Sequence, residues 1–190
     1  MLGFALYNYA YYLLGAALNV FFPLYLALVV TSGATLGLAA SRIVVPLNVA
    51  SSFGAKTPAR FIGGYFVFVG VSLACVWLAL WAAYAFHGRP TPVQTEAFKI
   101  VAALDSVLMV PALITGGILL GRRHPWGFIG SAIAGIQASL YLLVLSVTSS
   151  VAVSRGLAEW PGEVPIWGGL AITTSAITLL LLVSVDRKET

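Results

Sequence analysis

The first charged side chain of this chain is Arg42. A run of 41 residues without a formal charge is far longer than the apolar segments of a water-soluble fold, so this feature points to a bilayer as the surrounding medium. Composition extends the point to the whole sequence. Of 190 residues, 60% are hydrophobic and 8% are charged, against about 25% charged in soluble domains, and the mean hydropathy is +0.98. Too few polar groups exist to cover a globule in water, and the same deficit excludes a disordered chain. The net charge of +4 comes from basic residues scattered between apolar runs, which form no stripe for nucleic acid. They act instead as topology signals.

A helix crossing the hydrocarbon needs about 20 apolar residues. Cutting the chain at its charges and turn residues predicts an all-α, polytopic helical membrane protein with about five transmembrane helices, four to six at the limits, over residues 12–40, 60–86, 98–120, 125–150 and 164–185. They form a single bundle domain spanning residues 1–190. As one helix, residues 1–41 would be roughly 60 Å long, about twice the core thickness. The favoured solution is a tilted first span with Tyr7, Asn8, Tyr9, Tyr11 and Tyr12 at the membrane surface as an aromatic anchor. The alternative is a hairpin of two short helices turning between Gly15 and Asn19. No Lys or Arg precedes the run to make the n-region of a cleaved signal peptide. Trp77, Trp81 and Tyr84 read as an interfacial belt at the far end of the second span, and Pro125 suits the first turn of the fourth.

With these spans, Arg42, Lys56, Arg60, Arg122, Arg123, Arg187 and Lys188 fall on one side, and Arg89, Lys99 and Arg155 on the other. The positive-inside rule makes the first side cytoplasmic, with the N-terminus outside and the C-terminus inside. A sixth helix would move only the N-terminus.

Helices in lipid associate through close packing of small residues and a few hydrogen bonds. Ser131, Gly135 and Ser139 line one small-residue face of the fourth span, which suits a bundle centre or an oligomer contact. Gly33 and Gly37, and Gly116, Gly117 and Gly121, thin the first and third spans.

Asp105 is the only carboxylate inside a predicted span, roughly 9 Å along the helix from Lys99. A charge at the bilayer centre costs about 2.5 to 3.5 kcal/mol, so Asp105 needs a proton or a partner. It is a candidate coupling site for a proton or cation. The other reading, and the favoured one, is a buried carboxyl that caps or bridges helices, to Ser106, to a tyrosine of the N-terminal segment or to Lys99. Asn19 and Gln137 are the other strongly polar mid-membrane side chains, each able to bond across helices. Pro111 and Pro23 remove hydrogen bonds to the carbonyls of Val107 and Asn19 and predict kinks. Arg122 and Arg123, with Arg60 on the same side, form a topology anchor and a candidate contact for anionic lipid.

Catalytic constellations are absent from the sequence: it has no phosphate-cradling GxxxxGK[ST] loop, HExxH, CxxC or GxSxG. His87 and His124 fall on opposite sides and cannot share a metal in one chain, and Cys75 is the only cysteine. No enzyme, cofactor or metal is therefore expected. The stretch from Thr57-Pro58-Ala59-Arg60 through Leu104-Asp105 and Pro111-Ala112 to Arg122-Arg123-His124-Pro125-Trp126-Gly127 resembles a loose group of small, uncharacterised bacterial multi-helix membrane proteins. The resemblance covers about the middle third of the chain and implies a polytopic topology in a bacterial plasma membrane. Two functions remain open at this level. One is a non-catalytic packing or assembly partner for another membrane component, or self-association through the fourth helix. The other is a small proton- or cation-coupled transporter using Asp105.

Overall fold

A computed structural model describes residues 2–15, 21–44, 57–91, 94–156 and 162–184. All the regular structure among them is helical. The helices are α1 (Leu2–Gly15), α2 (Phe22–Val44), α3 (Ala59–His87), α4 (Thr95–Leu104), α5 (Val110–Gly121), α6 (Pro125–Ser154) and α7 (Glu163–Val183). A π-helical turn, Asp105–Met109, joins α4 to α5, so that Thr95–Gly121 forms one span. Five segments are long and apolar enough to cross a membrane: Pro23–Arg42, Ala59–His87, Thr95–Gly121, Pro125–Ser154 and Val164–Val183.

The described residues before Arg42 depart from the favoured single span over 12–40. Helix α1 runs back along α2 as a hairpin, in line with the alternative, and of its turn at Gly15 to Asn19 only Gly15 is among the described residues. The physical reason is length: two shorter helices side by side satisfy their own backbone and pack on each other, whereas one helix would overrun the hydrocarbon. Tyr12 stacks on Tyr25 near the turn, with centroids 5.9 Å apart, while residues 2–4 lie beside Leu36 and Ala40. The beginning of α1 therefore shares an end of the bundle with Arg42. The expectation of an N-terminus opposite the C-terminal tail rested on a single first helix, and the hairpin removes that basis. Pro23 makes no kink, because it stands in the first turn of α2, where its missing N–H has no helical acceptor to lose.

Helices α3, α5, α6 and α7 make the tightest contacts. Their shared core includes Ile62, Phe66, Leu113, Leu120, Phe128 and Leu181. Lipid tails offer an apolar surface as good as these side chains, so close packing must hold the helices together. Glycine permits it. A Cβ on Gly63 would run into the carbonyl oxygen of Gly117, and a Cβ on Gly117 would stand 2.6 Å from that of Gly63. The small-residue face of α6 sits at the bundle centre. Ser131 backs onto Gly116, Gly135 faces Phe66 and Thr178, and Ser139 donates to the Gly135 carbonyl at 2.8 Å. Neighbouring helices of the same chain fill this face.

The α1–α2 hairpin docks against this bundle mainly through α1, which packs on α4 and α6. A second, smaller cluster of Tyr7, Ala10 and Leu104, flanked by Tyr141, fills that junction.

Candidate functional site

The π turn explains the position of Asp105. Pro111 has no N–H, and in an α-helix its ring would press on the carbonyl of Val107. Widening the preceding turn relieves that crowding: the Val110 amide donates to the Asp105 carbonyl, and Pro111 falls in the first turn of α5, where proline is tolerated. This turn lies between Asp105 and Thr115, where a bend was expected, and Thr115 Oγ1 donates to the Pro111 carbonyl at 2.6 Å.

Asp105 is 1% exposed. Its two oxygens have separate donors from separate helices. Tyr7 Oη on α1 donates to Oδ1 at 2.5 Å, and Trp77 Nε1 on α3 donates to Oδ2 at 3.1 Å. Aromatic rings close the surroundings: Tyr7 lies 5.7 Å from Tyr141 on α6, and Trp77 meets Phe98 on α4 edge to face at 5.4 Å. The carboxyl group therefore knots the hairpin to the bundle. Of the partners foreseen for Asp105, it is the tyrosine of the N-terminal segment that bonds to it; Lys99 pairs with Glu96 at 2.9 Å instead.

The chemistry of the donors restricts what this carboxyl can do. An indole N–H only donates, so Oδ2 is an acceptor in every protonation state. A phenol both donates and accepts. A proton on Oδ1 keeps both bonds, because Tyr7 Oη can turn from donor to acceptor while the indole N–H goes on donating to Oδ2.

Tyr7 and Trp77 were both assigned elsewhere from the sequence, Tyr7 to a surface anchor and Trp77 to an interfacial belt. Both are drawn inward because Asp105 offers acceptors that hydrocarbon cannot satisfy. Trp81 and Tyr84, further along α3, do stay exposed. Tyr141 carried no sequence signal beyond its place four residues after Gln137 on the inward face of α6.

The other sequence-predicted residues do not join this knot. Asn19 lies outside the described residues. Gln137 is 5% exposed, and neither of its amide atoms has a hydrogen-bond partner among the described residues. It borders a cavity of about 410 Å³ between the hairpin and α6, lined also by Leu2, Phe4, Leu36 and Ile133. The cross-helix bond expected of Gln137 is not made among the described residues. Ser131 Oγ is buried and unpartnered in the same sense.

At the opposite end of α3 from Trp77, the three arginines come together. Arg60, Arg122 and Arg123 line a cavity of about 560 Å³, and Arg123 Nη2 donates to the Thr57 carbonyl at 2.8 Å. No group of three or more His, Cys, Asp or Glu able to hold a metal occurs among the described residues.

Comparison with protein-family models, with curated proteins and with solved structures finds no match to this chain.

Proposed function

We propose that this chain is a non-catalytic, multi-pass protein of a bacterial plasma membrane that serves as an assembly partner for another membrane component. The basic end of the bundle, with Arg60, Arg122 and Arg123, would face the cytoplasm. The observation that carries this reading is how the polar groups are used. Asp105 is spent on Tyr7 and Trp77, Tyr65 on Thr174 at 2.7 Å, and Ser139 on the Gly135 carbonyl. Between them the core of α3, α5, α6 and α7 is closed by Phe66, Leu113, Leu120 and Phe128. Such an interior suits a rigid structural body better than a polar route. In contrast, α2 packs chiefly on α1 and leaves Ala34, Gly37 and Ser41 exposed. Small residues of this kind let a further helix approach closely.

The test is copurification from native membranes in mild detergent, comparing the unmodified chain with Gly37→Leu on α2 and Ile172→Ala on the outer face of α7. A stoichiometric membrane partner lost only with Gly37→Leu supports the reading. A chain that runs alone under every mild condition contradicts it.

A second reading is favoured by one specific feature, the carboxyl on a π turn, a device that recurs at functional positions in helices. Here the chain is a small proton-coupled transporter, and exchange of the proton between Asp105 and Tyr7 loosens the hairpin beside the Gln137 cavity. Proteoliposomes carrying a pH-sensitive dye would report a proton flux that Asp105→Asn abolishes. Equal leak with and without the protein would dispose of this alternative.

A further inference from the structure

We infer that the cavity formed by Arg60, Arg122 and Arg123 is a binding site for a phosphate group, supplied at this depth by the headgroup of an anionic phospholipid. Four observations converge on it.

Three guanidinium-bearing residues from two segments distant in sequence line a single cavity of about 560 Å³, and no acidic side chain among the described residues lines it. Arg60 and Arg122 make no ion pair with any described residue. Guanidinium groups match phosphate oxygens with paired N–H donors, which makes arginine the preferred side chain for phosphate.

The second observation concerns the backbone. The end of α5 forms a Schellman motif: the His124 amide bonds the Leu119 carbonyl at 2.9 Å, and the Arg123 amide bonds the Leu120 carbonyl at 2.8 Å. The left-handed position of this motif normally belongs to glycine. Here Arg123 occupies it at φ 55°, the only non-glycine residue with positive φ among those described. A backbone cost of about 1 kcal/mol is accepted to set a guanidinium against the Thr57 carbonyl, at the rim of the cavity. Strain of this sort concentrates where a side chain has a task beyond folding.

Depth is the third. Ala59 begins the second membrane-compatible segment and Gly121 ends the third. The cavity between them thus lies at the level where hydrocarbon gives way to headgroups, and Phe61, 64% exposed, supplies an apolar wall on the lipid side. The uncapped amino end of α3 opens at the same place, where a helix dipole favours an anion.

The fourth is the match of chemistry to place. A free phosphate ion would satisfy the arginines but has no use for Phe61, whereas a phospholipid engages both.

The test uses the full chain purified in a neutral detergent. Thermal stability and native mass spectrometry are measured with phosphatidylglycerol, with phosphatidylcholine, and with inorganic phosphate alone. Phosphatidylglycerol is expected to bind and stabilise, phosphatidylcholine to do so weakly, and Arg60→Gln and Arg122→Gln each to lower phosphatidylglycerol affinity about fivefold, the pair about 25-fold. Both residues are exposed, so the variants should fold, and unchanged circular dichroism confirms it. If inorganic phosphate protects as well as the lipid, the phosphate site stands and the lipid source is overturned. If phosphatidylglycerol and phosphatidylcholine behave alike, or the double variant binds as the unmodified chain does, the proposal is overturned.

Discussion

Tyr7→Phe removes one oxygen atom and leaves the ring that packs on Tyr141 in place. The substitution therefore isolates the bond to Asp105, whose Oδ1 loses its donor while only 1% exposed. Hydrogen bonds to charged groups contribute about 1.5 to 3 kcal/mol in proteins generally. Polar bonds between membrane helices average about 0.6 and reach about 1.7. A fully buried bond joining the hairpin to the bundle belongs near the top of the membrane range, so Tyr7→Phe should cost about 1 to 2 kcal/mol. Asp105→Ala should cost about 2 to 4, because the Tyr7 hydroxyl and the Trp77 N–H are both orphaned beside a small void. Asp105→Asn should cost less than about 1, because its Nδ2 donates to Tyr7 Oη while its Oδ1 still accepts from Trp77. Reversible unfolding in mixed detergent–lipid micelles, or steric trapping in bicelles, measures each difference. The decisive quantity is the double-mutant cycle. In the Asp105→Ala background, Tyr7→Phe should be close to neutral. The same cost in both backgrounds would mean that the hydroxyl works on something other than the carboxyl.

Two further outcomes follow from the packing and the buried amide. Gly63→Ala should destabilise the chain by about 1 to 3 kcal/mol, since its Cβ meets the Gly117 backbone, which has no side chain to swing away; Gly64→Ala, with nothing within 4 Å of its Cβ, should be neutral or slightly stabilising. Equal effects at the two positions in the same unfolding assay would contradict the close crossing of α3 and α5. Gln137→Leu should stabilise by about 1 to 3 kcal/mol, because two buried polar atoms without partners among the described residues are replaced by apolar ones, and a loss of stability would show that the amide is satisfied in the membrane.

The spans from residue 59 onward were legible because charge and turn residues bracket apolar runs of the right length, and the helix ends fall within a few residues of expectation. The hairpin was legible only as an alternative. Nothing charged interrupts residues 1–41, so the break had to be argued from length alone. Asp105 announced itself as the lone intramembrane carboxylate, and its need for a donor was clear. Which donors it takes depends on how α1 and α3 rotate about their axes, and aromatic residues near helix ends carry no mark distinguishing an interfacial belt from an inward hydrogen bond. Trp77 was missed for that reason. The small-residue face of α6 was visible as a pattern, but whether another chain or its own neighbours filled it depended on Gly116, Phe66 and Thr178 coming close from other helices. The three arginines were assigned to one side by charge counting, whereas their convergence needed the turn geometry around Arg123.

Everything above depends on α1 being a docked part of the bundle, lying against α6. A Cβ on Gly3 would stand 3.1 Å from Ile133 Cγ2. With the exposed Cys75 changed to Ser, the pair Gly3→Cys and Ile133→Cys should form a disulfide in native membranes under mild oxidation, while Gly3→Cys with Ile172→Cys should not. Absence of the first cross-link, together with labelling of the cysteine at position 3 by a membrane-impermeant maleimide, would place α1 away from α6 and contradict the account.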